Sequence, residues 1–226
     1  MTALTVIPII GVGEVVTGDD IAELILGAGP ELVQGDVLVV TQKVVSKAEG
    51  RLAPADQKRE VIASESTRVL RRSGEMVISE TRHGYVCANA GVDSSNVEGD
   101  HVVLLPVDPD ASARRIRARI RHLAGIDVAI VITDTFGRAW RMGQTDVAIG
   151  IAGLDPFADY RGSTDTQGRE LFATRICVAD ELAGAAELVM GKAARVCAAI
   201  VRGYQWAPAR AMATDIVRPP EQDFFR

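Results

Sequence analysis

An acid and a hydroxyl follow an apolar run in the middle of the chain, at Asp134 and Thr135. The run itself, Ile126–Ile132, is rich in β-branched residues and is typical of a buried β-strand. We predict that the strand stops at the polar residues. This places the Asp134 carboxylate at a strand terminus, where it can meet a metal ion or a phosphate group. A structural alternative fits the same residues, because Asp134 can cap a turn while Thr135 satisfies a local amide.

A second acid lies in the glycine-containing loop Ala90–Val97, which carries Asp93 and, after it, Asn96. Hard cations such as Mg²⁺ take carboxylate, hydroxyl and amide oxygens, and they usually bridge to substrate phosphates. If this loop meets the end of the first strand, Asp93 and Asp134 supply two such carboxylates. Taken alone, the sequence Asp-Ser-Ser-Asn is also a common turn.

A third segment, Gln42–Arg51, follows the strand-like run Asp36–Thr41 and brings amide, hydroxyl and ammonium side chains together. A lysine just beyond a strand, such as Lys47, can act as a point charge for a phosphate group. The alternative is a solvated basic segment in which a lysine pairs with Glu49. No single segment decides between these interpretations, but the order of the three along the chain favours a shared site.

Length and composition agree with a soluble enzyme. The 226 residues can form a substantial core, and we expect one domain over residues 1–226, built as two closely packed lobes. No apolar run reaches the roughly 18 residues of a membrane span, and a charged secretory opening is lacking, so a cytoplasmic protein is expected. The formal charge of −5 gives no footprint for a nucleic acid. The wide spacing of Cys87, Cys177 and Cys197 indicates buried, reduced thiols, without a disulfide or zinc framework.

The pattern of apolar residues predicts a mixture of helices and strands. The predicted helices are 21–28, 57–72, 111–123 and 178–189, and the predicted strands are 36–41, 102–105, 126–132 and 198–201. Residues 76–81 and 85–88 are joined by so short a connection that they should pair as an antiparallel hairpin. Hairpins mixed with helical crossovers favour an α+β fold with a mixed or antiparallel sheet and packed helices.

Two nucleotide-binding motifs are present only in incomplete form. Gly184–Lys192 has six residues between its glycines where a P-loop has four, and its pattern is that of a helix. The pair Gly11 and Gly13 lacks the third glycine of a dinucleotide fingerprint, because Val16 stands there. The pair still lets backbone amides approach an anion or a guanine ring closely.

The three segments and their neighbours resemble the deazaflavin cofactor ligase family, the GTP-dependent enzymes that add L-glutamate to precursors of coenzyme F420. The resemblance extends from about Val6 to about Tyr204. The segments that carry it are, in chain order, Ile10–Glu14, Gln42–Arg51, Ala90–Val97, Val131–Trp140, Gly143–Asp146, Asp159–Gly162 and Val201–Tyr204. It implies the γ-glutamyl ligase fold, a homodimer, and GTP, L-glutamate and coenzyme F420-0 as substrates.

The resemblance also implies roles for individual residues. It assigns nucleotide binding to Val12, Gly13, Glu14, Val15, Gln42, Lys47 and Asn96, metal binding to Asp93, Asp134 and Thr135, and catalysis to Lys47 and Asp134. Two divalent ions, Mg²⁺ or Mn²⁺, are implied, with K⁺ as a further candidate. In relatives a late segment, here Met190–Cys197, closes on the nucleotide and helps to hold a second metal. Lys192 departs from that pattern, because some relatives carry an amide or acidic side chain there and a cation cannot ligate a metal.

The implied reaction follows from the chemistry of carboxylates. A carboxylate does not condense with an amine at neutral pH, because oxide or hydroxide would have to leave. Phosphorylation by GTP converts it into an acyl phosphate, which the α-amine of L-glutamate attacks to form an amide with loss of phosphate. The resemblance implies that γ-linked additions follow. No covalent enzyme nucleophile is needed, in agreement with the absence of a Ser/His/Asp or Cys/His arrangement.

Two other functions would use the same residues: a metal-dependent nucleotide phosphohydrolase, and a non-catalytic guanine-nucleotide-binding module.

In actinobacterial relatives the ligase unit is fused to a flavin-binding, reductase-like domain. This sequence stops near that junction, so reductase activity is not expected from it. Trp140 is expected in the core, with stacking on a planar deazaflavin as the alternative. Five arginines of the helix 111–123 are expected to form a mostly solvated face: Arg114, Arg115, Arg117, Arg119 and Arg121.

Overall fold

The computed structural model describes residues 3–95 and 99–224. The α-helices in these ranges are α1 (Ile21–Gly27), α2 (Gln42–Ala48), α3 (Lys58–Glu65), α4 (Pro109–Ala124) and α5 (Val178–Met190). The strands are β1 (Thr5–Pro8), β2 (Val37–Thr41), β3 (Leu52–Pro54), β4 (Ser66–Ser73), β5 (Met76–Thr81), β6 (Val86–Ala88), β7 (His101–Val103), β8 (Ala129–Arg138), β9 (Arg141–Leu154), β10 (Phe157–Asp159), β11 (Arg175–Cys177), β12 (Ala198–Arg202) and β13 (Pro208–Ala209). Hairpins and packed helices together confirm the α+β prediction.

A six-stranded mixed sheet forms the centre of the fold, in the order β1-β12-β2-β8-β9-β13. β2 and β8 run parallel, and the other neighbouring pairs are antiparallel. The last residue of β2, Thr41, lies opposite Thr133 of β8. Because the two strands are parallel, the segments that continue from Thr41 and Thr133 meet at the same edge of the sheet.

Alternating side chains divide the central strands between two cores. In β2, Leu38 and Val40 pack with residues of α1, α2 and α4 on one face of the sheet. Val37 and Val39 pack with α5 on the other face. Helices therefore cover both faces, which explains why the strands read as nearly continuous apolar runs.

A second, smaller core lies beside the sheet. Its buried members are Ile62, Val77, Val92, Val102 and Leu104, contributed by α3, β5, β7 and adjoining loops. The strands β4, β5 and β6 form a three-stranded antiparallel sheet over this core, which confirms the hairpin predicted for residues 76–81 and 85–88. The chain thus has a main lobe around the six-stranded sheet and a small lobe around this core, as predicted.

β8 is longer than the sequence predicts. It continues to Arg138 and pairs with β9 beyond the point where β2 stops, so Asp134 lies opposite Val147 inside a strand. The prediction of a strand terminus was wrong, because a two-stranded extension open on its flanks accommodates the polar residues. This extension, residues 134–138 and 141–147, is the ribbon. Asp134 is nevertheless the first residue of β8 beyond its pairing with β2.

A β-bulge separates the sheet from the ribbon. The pairing shifts by one residue between Ile132 and Thr133, which leaves Ile149 as an extra residue in β9. The hydroxyl of the buried Tyr85 donates a hydrogen bond to the Ile149 carbonyl at 2.6 Å. Since an extra residue shifts the register by one, the bulge decides which residues of the ribbon lie opposite one another.

The helix predicted over residues 57–72 is wrong in its second half. α3 ends at Glu65, and the next eight residues, Ser66–Ser73, form β4, antiparallel to β5. Thr67 and Val69 are β-branched, and the tight connection at Gly74 brings this segment against β5, so strand pairing outweighs a weak helical pattern. The other predicted helices and strands are present, with shifted ends.

Three further predictions have direct outcomes. No helix in the described ranges combines the length and apolar character needed to cross a membrane. The three cysteines are free thiols, as expected, but only Cys87 of the three is buried, and Cys177 and Cys197 are partly exposed. The arginines of α4 are more than a solvated face, because three of them form ion pairs with carboxylates of other segments. These pairs are Arg115–Glu49, Arg117–Asp127 and Arg119–Asp20.

Candidate active site

Two lysines project from the helix that follows β2. Gln42–Ala48 is helical, so Lys43 and Lys47 are four residues apart and share one face. Lys47 forms an ion pair with Glu14, whereas Lys43 Nζ lies 2.8 Å from Asp93 Oδ2. The alternative partner considered for a lysine here, Glu49, pairs with α4 instead. Because α2 begins where β2 ends, both ammonium groups lie near the sheet edge from which the ribbon continues.

The loop between β1 and α1 lies beside the same helix. Val15 is buried in the main core, Val12 is half-buried, and Gly13 and Glu14 are exposed. The ion pair between Glu14 and Lys47 connects this loop to α2. The structure therefore brings together the loop and the lysine to which nucleotide binding was assigned, and the binding role itself stays a prediction.

Asp93 is fixed by backbone pairing and by a lysine. Its amide and carbonyl exchange hydrogen bonds with Val103 at 2.9 and 2.8 Å. Its carboxylate accepts hydrogen bonds from Lys43 and from the amide and hydroxyl of Ser95, all at 2.8 Å. Gly91, two residues before it, has a φ of +75°, a conformation that favours glycine. Burial raises the pKa of Asp93, but the bonds from Lys43 and Ser95 outweigh burial and hold the pKa below its ordinary value.

Asp134 has the opposite electrostatic state. Burial, followed by the nearby charges of Asp146 and Asp93, raises its pKa to about 7, although a hydrogen bond from the Thr135 amide lowers it. In residues 3–95 and 99–224, no lysine or arginine lies within ion-pair distance of this carboxylate. The charged form of Asp134 would therefore be stabilised by an added cation.

Asp146, on the other face of the ribbon, is buried and hydrogen-bonded through both oxygens. Thr135 lies directly opposite it, and Thr135 Oγ1 donates to Asp146 Oδ1 at 2.5 Å. Thr133 Oγ1 donates to Asp146 Oδ2 at 3.1 Å. Lys192 Nζ lies 3.2 Å from Asp146 Oδ1 and 2.5 Å from Thr135 Oγ1. It also lies 3.0 Å from Glu187 Oε1.

Successive residues of β8 divide the predicted metal ligands between the two faces of the ribbon. Asp134 lies on the face opposite Thr135 and is close enough to Asp93 for the two charges to interact, whereas Thr135 contacts Lys192, just after α5. The prediction treated Asp93, Asp134 and Thr135 as one set, and the structure brings the two acids together while Thr135 joins a neighbouring cluster. Lys43, Asp93 and Asp134 define the Asp134 face. Thr135, Asp146, Glu187 and Lys192 define the Lys192 face.

Two of the predicted nucleotide-binding residues, Gln42 and Asn96, are not shown at the surface of the site. Gln42 is buried, and its Oε1 accepts a hydrogen bond from Ser46 Oγ at 2.9 Å inside α2. Its side chain therefore supports the helix that carries the lysines. Asn96 lies outside the described residues.

Three charged residues of the site were not singled out from the sequence: Lys43, Asp146 and Glu187. Lys43 precedes Lys47 by four residues, which would have placed both on one face had the helix been predicted. Asp146 belongs to a segment that carries the family resemblance, but its contact with Thr135 depends on the register of the ribbon. For Glu187, the sequence offered no signal beyond its place in a helix.

The tip of the ribbon is exposed. Trp140 is 77% exposed at the turn between β8 and β9, and Met142 beside it is also exposed. The prediction that Trp140 lies in the core was wrong, because the ribbon carries this turn beyond the sheet. Stacking of Trp140 on a planar ligand stays untested.

The donor set of the Asp134 face suits a divalent cation that a ligand also helps to hold. In the described part of the chain, no group of three or more His, Cys, Asp and Glu side chains is arranged to hold a metal ion. Mg²⁺, however, is commonly bound through one or two carboxylates together with substrate phosphates. Asp93 and Asp134 are two carboxylates of this kind, and burial is the main cause of the raised pKa of Asp134.

The mixed sheet, with carboxylates and lysines gathered where two parallel strands end, defines an α+β protein with a charged cluster at the sheet edge. The sequence matches the family model described as F420-0:Gamma-glutamyl ligase over residues 10–203. The chain belongs to this family, and it is a ligase.

Several archaeal proteins named coenzyme F420:L-glutamate ligase are similar over nearly their whole length. The protein of Methanothermobacter thermautotrophicus is 41% identical, with 99% of each chain covered. That of Methanopyrus kandleri is 44% identical, with 92% of each chain covered. That of Archaeoglobus fulgidus is 40% identical, with 98% of this chain and 96% of the relative covered.

Proposed function

We propose that this chain is a GTP-dependent ligase that joins L-glutamate to coenzyme F420-0 through an amide bond and then adds further γ-linked glutamates. Family membership and the names of the relatives support this substrate class. One structural observation carries the proposal. At a single sheet edge, Lys43 pairs with Asp93, Lys47 follows one helical turn later in α2, and Asp134 is the first residue of β8 beyond its pairing with β2. Cations suited to phosphate oxygens thus accompany carboxylates suited to a divalent cation.

The nucleotide is assigned to the loop Val12–Val15 and to Lys47. The exposed backbone of Gly13 allows close approach of a phosphate or a guanine ring. Lys47 would exchange its partner Glu14 for a phosphate oxygen when GTP binds. Its compact ammonium group then stabilises the negative charge that develops as the γ-phosphoryl group is transferred.

Asp93 and Asp134 are the residues that would hold Mg²⁺ or Mn²⁺. Bound there, the ion supplies positive charge to the phosphate oxygens. Asp134 must lose its proton to act as a ligand, and Lys43 must release Asp93 in part. K⁺ remains a further candidate ion for the same region.

The proposed reaction has two steps, phosphoryl transfer and amide formation, and neither requires a covalent bond to the enzyme. A carboxylate oxygen of the F420-0 precursor attacks the γ-phosphorus of GTP, the bond to the bridging oxygen breaks, and GDP leaves. The α-amine of L-glutamate then attacks the acyl carbon, the carbon–oxygen bond to phosphate breaks, and the amine proton is released. The chain's own residues orient the phosphates and stabilise charge throughout.

The direct test supplies purified protein with GTP, Mn²⁺ or Mg²⁺, L-glutamate and F420-0, and follows products by mass spectrometry. A product heavier by one glutamyl residue, with matching release of GDP and phosphate, is the expected result. Absence of that product from a folded, nucleotide-binding protein would refute the proposed activity. Binding of GTP without turnover in any substrate mixture would favour the non-catalytic nucleotide-binding module.

Hydroxylamine in place of L-glutamate separates the ligase from a nucleotide phosphohydrolase. An acyl phosphate is trapped as a hydroxamate of the precursor, which requires both GTP and metal. A phosphohydrolase would transfer the phosphoryl group to water and leave no activated carboxylate. GTP hydrolysis at the same rate with and without precursor, and no hydroxamate, would favour the phosphohydrolase. The homodimer implied by the family is tested separately, by light scattering of the purified chain.

A further inference from the structure

The ammonium group of Lys192 lies among three oxygen atoms. Its Nζ is 2.5 Å from Thr135 Oγ1, 3.2 Å from Asp146 Oδ1 and 3.0 Å from Glu187 Oε1. A hydroxyl and two carboxylates are ligand types that a divalent cation also takes. The Lys192 face is therefore a cation site in which the chain's own cation already lies.

The end of α5 holds Lys192 in this position. The helix stops at Met190, and the amide of Gly191 donates to the Glu187 carbonyl at 2.9 Å. Gly191 has a φ of +58°, and this turn brings Lys192 back beside Glu187. The Asp146 side chain is 1% exposed and that of Lys192 is 59% exposed. The ammonium group thus covers a buried carboxylate while part of its surface remains open to a ligand.

The ammonium of Lys192 opposes the binding of a second cation in this cluster. Asp146 and Glu187 carry two negative charges when ionised, and the ammonium of Lys192 offsets one of them. A divalent ion bound to the same oxygens would lie a few ångströms from the ammonium, and repulsion at that distance opposes its binding. A second ion can therefore enter only if Lys192 moves away from both carboxylates.

We propose that Lys192 is the resident cation of the Lys192 face, so that this chain binds one divalent ion per nucleotide, on the Asp134 face, instead of two. The inference rests on the proposed function for the nucleotide and for the ion at Asp93 and Asp134. Lys192 thus takes the place of a second metal ion and is not a metal ligand.

The test counts Mn²⁺ ions bound per chain by equilibrium dialysis, with free Mn²⁺ read by electron paramagnetic resonance. Wild type, Lys192→Gln and Lys192→Arg are compared at saturating Mn²⁺, with and without guanosine 5′-(β,γ-imido)triphosphate. We expect one ion for wild type with nucleotide. We expect two ions for Lys192→Gln, because its amide oxygen joins Thr135, Asp146 and Glu187 as a donor. Lys192→Arg keeps the positive charge and should bind one.

Arg59→Gln is the matched control for loss of one positive charge. Arg59 forms an exposed ion pair with Glu75, remote in sequence from both faces of the ribbon. The Arg59→Gln variant should bind the same number of Mn²⁺ ions as wild type. Two ions in wild type, no additional ion in Lys192→Gln, or an additional ion in Lys192→Arg or Arg59→Gln would each overturn the inference.

Bound nucleotide is measured by absorbance in the same samples. Failure of wild type to bind nucleotide would count against the proposed function, and it would not decide the role of Lys192. The difference between Lys192→Gln and wild type in Mn²⁺ alone, one additional ion or none, then decides the inference.

Discussion

The two faces of the ribbon carry similar side chains in different electrostatic states. On each face a lysine lies against a carboxylate, Lys43 on Asp93 and Lys192 on Asp146. Asp146 is enclosed by hydroxyls and an ammonium group, whereas Asp134 has a pKa of about 7 and, among the residues described, no cationic side chain at ion-pair distance. The alternation of side chains along a β-strand produces this contrast, because consecutive residues of the strand lie on opposite faces. Lys192 contacts both carboxylates of its face, Asp146 and Glu187, whereas Lys43 contacts Asp93 and leaves Asp134 without a cation at ion-pair distance among the described residues.

The largest effect is expected from removing the carboxylates of the Asp134 face. Asp93→Asn and Asp134→Asn should each lower ligation by at least about 10²-fold, the size seen when one preorganised charge-stabilising group is lost. The fold should persist, because β8 and β9 pair through their backbones. Initial rates at limiting Mn²⁺, with circular dichroism for folding, measure the effect. Near-normal turnover in either variant would remove that residue from the site.

Lys47→Ala tests the cation that lies nearest the assigned nucleotide loop. Loss of this charge should cost about 2–4 kcal/mol of transition-state stabilisation, by analogy with other preorganised donors. Lys47→Arg is the matched variant, and it should restore activity only in part, because a planar guanidinium replaces a compact ammonium. The kcat/KM for GTP is the quantity to compare. Unchanged turnover and unchanged GTP affinity in Lys47→Ala would show that Lys47 is a solvated surface residue without a role in the reaction.

Stability as a function of pH separates the two acids of the Asp134 face. The folded-state pKa of Asp134 is about 7, above its ordinary value of 3.8, so the folded protein keeps a proton that the unfolded chain releases. Wild type should therefore lose stability relative to Asp134→Asn as the pH rises from about 4 to about 7, by about 2–4 kcal/mol. Urea unfolding in EDTA across this range measures the difference.

Asp93 should behave in the opposite way in the same experiment. Its pKa is lowered, so its ionised form stabilises the folded state above about pH 4, near the ordinary value of 3.8, and this contribution is lost as the pH falls below it. Asp93→Asn should consequently be less stable than wild type at neutral pH. Parallel pH profiles for the two asparagine variants would contradict the assigned states of both acids.

The smallest expected effect concerns the Lys192 face. Thr133→Val keeps the shape of a buried side chain but removes the hydrogen bond to Asp146 Oδ2. Leaving that oxygen without this partner should lower the free energy of unfolding by about 1–2 kcal/mol. Thr133→Ser, which keeps the hydroxyl, should lose less. Equal stability of Thr133→Val and wild type would show that this bond does not hold the cluster together.

The interior of the sheet was easier to predict than its edge. The sequence predicts the strands β2, with Leu38 and Val40, and β8 directly, because a strand buried on both faces requires a continuous apolar run. Asp134 was placed at a strand terminus because polar residues normally end such a run. Nothing local indicates that β9 continues to pair with β8 after β2 has stopped. The same limit produced the false helix over residues 66–72, where pairing with β5 decides the structure.

The segments of the candidate site were predictable, but their grouping was not. Local segments predict Asp93, Asp134 and Lys47 as site residues, and the structure brings those segments to one edge of the sheet. The separation of Thr135 from Asp134, and the contact of Thr135 with Asp146, depend on which face each residue of the ribbon occupies. That is a property of strand register, which requires knowledge of the partner strand.

The bulge in β9 gives this strand a spare residue, with a consequence for how its length can change. If one residue between 147 and 150 were deleted, loss of the bulge would restore a regular ladder and leave Asp146 opposite Thr135. The hydrogen bond from Tyr85 to the Ile149 carbonyl would be the contact at risk. An inserted residue cannot be accommodated in this way, because a second bulge would be needed to keep Asp146 opposite Thr135. β9 should therefore tolerate shortening by one residue better than lengthening by one.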